Sequence, residues 1–134
     1  MVPERPRILV VEDEVLIGVL LQQMLDELGC ECLGPIIHLN TAVEHAGSDA
    51  FDAAILDLII HGEHAYPVAD ILVERGIPFG FASGVPRGGL DRKWASYPFL
   101  AKPFLIDDVR TFVTRILTGS GLLSRDHAPS PPPP

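Results

Sequence analysis

The chain has 134 residues, 47% of them hydrophobic and 21% charged, which supports one domain with a core of its own and leaves no room for a second folded module. Its net charge of −8 is segregated: residues 8–74 hold 13 Asp and Glu and neither Lys nor Arg, whereas residues 75–134 hold 8 Lys and Arg against 4 acids. An acidic half of this kind argues against nucleic acid as the main partner, because neutralising phosphates needs clustered cations, and admits a divalent cation or a basic partner surface instead.

From Arg7 onward, strand-like and helix-like runs alternate, the pattern of a parallel sheet covered on both faces. Arg7–Val11 is a continuous apolar strand ending in Glu12-Asp13-Glu14. A helix follows to Leu28 and stops at Gly29, with Ile17, Leu20, Leu21, Met24, Leu25 and Leu28 as its inward stripe. Val15, Leu16 and Val19 fall off that stripe; they either widen the buried face or form a docking patch for a partner helix. Strand two is expected over Glu31–Ile37. A short helix capped by Asn40 or Thr41 should run through His45 and close at Gly47. Strand three, Phe51–Leu58, is apolar except at Asp57. A helix from about His64 to Glu74 then tolerates Pro67 in its first turn.

Strand four is expected at Pro78–Ala82, ending in Ser83-Gly84. Pro86, Gly88 and Gly89 make the next segment, Val85–Tyr97, a poor helix, expected to be short or frayed with Trp94 as a packing residue. Phe99–Ala101 is strand five, and the last helix spans Ile106–Leu117 with Ile106, Val109, Val113 and Ile116 inward. The expected organisation is an N-terminal extension over 1–5, a domain over 6–118 and a disordered tail over 119–134 ending in Pro-Ser-Pro-Pro-Pro-Pro. The fold class is thus a doubly wound, flavodoxin-like (βα)5 parallel sheet in the order 2-1-3-4-5, whose sites form beyond the carboxyl ends of the strands.

The longest apolar stretch, Val15–Leu21, is broken by Gly18 and is far too short to span a membrane, and Met1-Val2-Pro3-Glu4 lacks a signal segment, so a cytoplasmic location is expected. Cys30 and Cys32 read as small packing residues of a reducing compartment. His61 and His64 flank Gly62 without a third ligand and read as surface histidines.

The strand ends bring together Glu12, Asp13, Asp57, Ser83 and Lys102, one of only two lysines. Burying three carboxylates together is costly unless a cation and the lysine neutralise them, and a hard cation held by few carboxylates is Mg2+. Each residue alone has an ordinary explanation as a loop, cap or turn; the set of five at strand ends does not.

With these motifs in place, the sequence resembles the receiver domain of two-component response regulators over about residues 6–118. The matching residues are Glu12-Asp13 after Ile8-Leu9-Val10-Val11, Leu56-Asp57 after Phe51-Asp52-Ala53-Ala54-Ile55, Phe81-Ala82-Ser83-Gly84, and Ala101-Lys102-Pro103-Phe104. The fourth-strand ending, Gly34-Pro35 and Lys-Pro-Phe are similar to stand-alone receivers whose fourth strand ends Phe-Ala-Thr-Gly. The resemblance implies phosphoryl transfer from a sensor histidine kinase or histidine phosphotransfer protein onto Asp57. Asp13, with Glu12 through water, would hold Mg2+ together with Asp57 and the backbone carbonyl of Ile59. Lys102, with a cis bond to Pro103, and Ser83 would contact phosphoryl oxygens. Ser83 and Phe99 would be switch residues, although Phe99 is explained equally by core packing. Such a protein accepts a phosphoryl group and is not an enzyme in the ordinary sense.

Departures from the family are concentrated after Asp57, where Leu58-Ile59-Ile60-His61-Gly62 lacks the usual proline. Ile59 and Val85 are apolar at the two positions that often tune hydrolysis, so a slowly hydrolysing phosphoaspartate is expected. An aspartyl-phosphate phosphohydrolase would need an acid where Ile59 stands, and a flavin protein would need a phosphate loop where Glu12-Asp13-Glu14 would repel one. A receiver-like scaffold that is never phosphorylated is the remaining alternative. Without an output domain the effect runs through protein contacts. Val15, Leu16 and Val19 suit a kinase or phosphotransfer helix bundle. Arg87, Arg92, Lys93, Arg110 and Arg115 suit an acidic partner or a homodimer mate, or form an ordinary solvated face.

Overall fold

The computed structural model describes residues 4–85 and 89–119. Five strands form one parallel sheet in the order β2-β1-β3-β6-β7: β1 is Arg7–Val11, β2 Glu31–Ile36, β3 Ala53–Asp57, β6 Phe79–Ser83 and β7 Phe99–Ala101. A two-stranded antiparallel hairpin, β4 Ile59–Ile60 with β5 Glu63–His64, follows directly on β3. The α-helices are α1 Val15–Glu27, α2 Leu39–Ser48, α3 Tyr66–Arg75 and α4 Ile106–Thr118.

Alternation along each strand divides the core in two, because successive side chains leave a strand on opposite faces. Leu9, Val11, Ala54, Leu56, Phe79 and Phe81 pack with α2, α3 and Trp94. Ile8, Val10, Ala53, Ile55 and Ala82 pack with Leu21 and Leu25 of α1 and with Val109, Phe112, Val113 and Ile116 of α4. β3 is buried along its whole length, including Asp57. Such continuous burial is what a central parallel strand between two helix layers undergoes.

Several boundaries differ from expectation. Among the described residues there are four α-helices rather than five, and the expected fourth shows only 3₁₀ structure, including the turn Arg92–Trp94. The glycine content of that segment explains why regular helix does not form, while Trp94 is still buried among Tyr66, Phe79, Phe81 and Tyr97. Pro86, Arg87 and Gly88 lie outside the described residues, as does the tail from 120 onward. α2 begins before Asn40, with the His38 carbonyl accepting the Ala42 N–H at 2.9 Å, and runs through Gly47 instead of closing there. The start of α3 is displaced to Tyr66 because Glu63 and His64 are taken up by the hairpin.

On α1, Leu20 is 38% exposed and does not join the core stripe, whereas Leu21 and Leu25 are fully buried. Val15, Leu16 and Val19 do not widen the buried face: Leu16 is 84% exposed. α1 sits close over the end of β2, where a Cβ on Gly18 would stand 2.7 Å from Pro35 Cγ.

Gly80 performs the same service between β6 and α4. A Cβ there would meet the Phe112 ring at 2.6 Å and the Pro98 carbonyl oxygen at 2.9 Å. Gly47, by contrast, faces open space. Gly80→Ala is therefore expected to lower the unfolding free energy by about 1–3 kcal/mol through overpacking. Gly47→Ala should raise it by about 0.5–1 kcal/mol through helix propensity. Urea denaturation of the two variants beside wild type checks both signs.

Candidate functional site

The five residues converge because each terminates a strand at the same edge of the sheet. Asp57 is the last residue of β3 and pairs with Ala82 of β6, and the Leu58 N–H donates to the Ala82 carbonyl at 3.0 Å. Ser83 ends β6, and its carbonyl accepts the Lys102 N–H at 2.9 Å, which carries the lysine in from the edge strand β7. The Lys102–Pro103 peptide bond is cis. Glu12 and Asp13 follow β1, with the Glu12 N–H donating to the Ile36 carbonyl at 2.9 Å and so continuing the β1–β2 ladder.

These side chains line an open cavity of about 510 Å3, together with Glu14, Ile17, Ile59, Gly84, Val85 and Pro103, and with Glu12 buried beneath it. Lys102 Nζ lies 2.8 Å from Glu12 Oε1, 3.3 Å from Asp57 Oδ2 and 3.5 Å from Glu14 Oε1. Glu12 Oε2 accepts the Glu14 N–H at 3.0 Å. Ser83 is buried, and its Oγ accepts the Val85 N–H at 3.0 Å. Asp13 Oδ2 accepts the His61 N–H at 2.8 Å.

Burial, followed by the neighbouring Glu12 carboxyl, raises the pKa of Asp57 to about 7, against the partial opposition of Lys102. For Lys102 burial works toward a lower pKa, but Glu12 and Asp57 outweigh it and the ammonium is held above its ordinary value. Burial of Asp13 is outweighed in turn by hydrogen bonds, chiefly from the His61 backbone, which keep its carboxyl below the usual range.

One ammonium, in contact with Glu12, Asp57 and Glu14, thus serves a cluster of four carboxylates that also includes Asp13. One oxygen from each of Glu12, Asp13 and Asp57 lies within 4.8 Å of the others. An octahedral Mg2+ with bonds of about 2.0–2.1 Å places its ligand oxygens about 2.9 Å apart as neighbours and about 4.2 Å apart across the ion. Three hard oxygen donors at this separation, with uncompensated negative charge and an open side for water, fit such an ion.

No family model and no curated protein matches the chain. Solved structures do. SdrG from Sphingomonas melonis Fr1 is 35% identical, with a TM-score of 0.78 over 86% of this chain and 98% of its own. A response regulator receiver protein from Sinorhizobium medicae WSM419 aligns over 87% of this chain and 98% of its own with a TM-score of 0.72 at 23% identity. The chain belongs to the response regulator receiver family. The receiver domain of sensor histidine kinase PA1611 from Pseudomonas aeruginosa PAO1 has the same fold, at 21% identity and a TM-score of 0.70 over 85% of this chain and 98% of its own. That structure holds a magnesium ion coordinated in its active site cleft.

Within this receiver, Glu12, Asp13, Asp57, Ser83 and Lys102 meet as expected, and Ile59 lines the same cavity. Phe99 stands apart from it, half-buried at the start of β7 beside Phe81 and lining a separate cavity with Thr111, Phe112 and Arg115. The basic face is partly internally paired: Lys93 lies 3.2 Å from Asp70 and over the Trp94 ring, and Arg110 pairs with Asp107. Arg87 lies outside the described residues.

Two participants are not evident in the sequence. Glu14 reaches Lys102, a role for which the run of three acids was the available signal. His61 is not merely a surface histidine: at φ 49° it turns its N–H onto Asp13, and its ring stacks on His38 at 5.3 Å. A positive φ is uncommon for a residue that is not glycine, and the enrichment of His there, with Gly62 following, was the only local signal and a weak one.

The raised Asp57 pKa carries a stability prediction for the metal-free protein. The folded state holds a proton that the unfolded chain, with an Asp pKa near 3.9, releases, so wild-type stability falls as pH rises from about 4 to about 7. Asp57→Asn lacks this penalty. Its advantage over wild type should be near zero at pH 4 and grow to roughly 2–4 kcal/mol by pH 8. Thermal or urea unfolding of both proteins in EDTA across that range measures it.

Proposed function

We propose that this receiver acts as a response regulator that accepts a phosphoryl group on Asp57 from a sensor histidine kinase or a histidine phosphotransfer protein. The observation that supports it most strongly is the buried Asp57 carboxylate, 3.3 Å from Lys102 Nζ, beside buried Glu12 and open to a cavity shared with Asp13 and Ser83. SdrG has also been solved in a BeF3-activated conformation, and beryllofluoride is a phosphoryl mimic.

An Asp57 carboxylate oxygen attacks phosphorus in line, the P–N bond to the donor imidazole breaks, and the phosphoryl group becomes an acyl phosphate. Lys102 exchanges its contact with Glu12 and Asp57 for a phosphoryl oxygen, and the Ser83 hydroxyl donates to another. Asp13, Asp57, the Ile59 carbonyl and, through water, Glu12 would hold Mg2+, which when bound would neutralise charge on the carboxylates and phosphoryl oxygens. The remaining work is positioning, which the strand ends perform before the donor arrives.

The protein is not an enzyme in the turnover sense, since its own side chain holds the product. The donor docks on α1, where Val15, Leu16 and Val19 are exposed beside the cavity. Output runs through contacts of Ser83, Phe99 and the basic face with a downstream protein or a homodimer mate. No helix among the described residues is long and apolar enough to cross a membrane. The reading places the protein in the cytoplasm with its kinase.

Incubation with Mg2+ and acetyl phosphate, followed by intact mass measurement, should show one added phosphoryl group that Asp57→Asn and EDTA abolish. No addition to wild type would overturn this reading in favour of a receiver-like scaffold that works without phosphorylation. Ile59 and Val85 line the cavity with apolar side chains that cannot orient an attacking water. The phosphorylated protein, freed of donor, should therefore keep its group for minutes or longer. A half-life of seconds would contradict that assignment.

A further inference from the structure

The acidic residue left over from the phosphoacceptor set is Glu14. It stands at the N-cap of α1 and makes no side-chain capping hydrogen bond there, so local helix chemistry does not account for its side chain. The carboxylate is mostly exposed, lines the mouth of the cavity and lies 3.5 Å from Lys102 Nζ. Lys102 is itself largely buried and has three carboxylates around it: Glu12 and Asp57 below and Glu14 at the mouth. Glu14 is the one of the three that an approaching donor meets first, because the exposed Val15 and Leu16 follow it directly.

We propose that Glu14 is a positioning and selectivity residue that discriminates among phosphodonors by charge; the proposal rests on Asp57 being the phosphoacceptor. Two effects act in the same direction. The carboxylate draws Lys102 toward the mouth, away from the phosphoryl oxygens it must neutralise. It also adds negative charge on the path by which a donor enters, where solvent screens it only in part. A dianion such as acetyl phosphate meets about twice the repulsion met by a singly charged donor, because Coulomb energy scales with the product of charges. A donor delivered on a protein surface, aligned by contacts on α1, approaches with its charge already balanced by that surface and is less affected. The arrangement favours protein phosphodonors over metabolite ones.

The test compares wild type with Glu14→Gln at saturating Mg2+, using acetyl phosphate and phosphoramidate as probes. Glu74→Gln, at the far end of α3, removes the same charge as a control. At low ionic strength Glu14→Gln should accept phosphate from acetyl phosphate about three- to tenfold faster than wild type, and from phosphoramidate about two- to threefold faster. Both differences should shrink at 1 M salt, where the screening length is about 3 Å, and the gap between the two donors should close. Glu74→Gln should match wild type throughout. Equal rates for wild type and Glu14→Gln at low salt, or an acceleration indifferent to salt and donor charge, would overturn the role of Glu14 while leaving Asp57 as acceptor. Failure of wild type to accept phosphate from either donor would overturn the phosphoacceptor reading and this inference with it.

Discussion

The Lys102 ammonium is the interaction on which the site depends. Glu12 is almost entirely buried and Asp57 nearly so, and two carboxylates cannot be taken out of water side by side without a cation between them. Lys102 supplies it from β7, at the sheet edge, across the Lys102 N–H to Ser83 carbonyl bond that ties β7 to the neighbouring strand. The ion set is still one-sided, with the carboxylates outnumbering the ammonium. That residual charge, on three oxygen donors within 4.8 Å of one another, makes the set chemically suited to a divalent cation.

The scaffold around this set is arranged so that little else needs to move. β3 is buried throughout, Asp57 included, and its register against β1 and β6 fixes the Asp57 carboxyl beside Glu12 on one side and Ser83 on the other. The helix layers are drawn in close by missing side chains: Gly18 admits Pro35, and Gly80 admits Phe112. The aromatic cluster around Trp94 replaces the ordered packing that a regular helix would have provided after β6, so the core beneath that segment is filled although the helix is not formed. The hairpin after Asp57 holds Ile59 at the cavity, and the N–H of His61, at its turn, restrains Asp13.

Much of this is written in local patterns. The β-branched runs, the apolar stripe of α4 and the acids and lysine that close the strands can be read directly, because strand and helix periodicities report burial and a polar residue ending an apolar strand reports a sheet edge. Leu20 fits the helical period yet stays exposed, Gly47 looks like a stop yet lies inside α2, and the stretch after Asp57 looks like a loop yet pairs with itself. For Leu20 no neighbouring element covers the residue, and for the hairpin the pairing of two short segments outweighs local propensity, whereas Gly47 sits in the last turn of α2 with open space around it.

The order of residue types along the chain was enough to specify a parallel αβ sheet, the acids and lysine at its edge, and hence a receiver. The distances among them were not, because they arise from strand register and helix packing between segments far apart in sequence. The segregated charge shows the difference. The composition reveals an acidic half and a basic half, but nothing in it says that a single lysine of the basic half is buried against three acids of the other. That pairing exists because β7 adds to the sheet beside β6 and carries Lys102 to the same edge as Glu12 and Asp57.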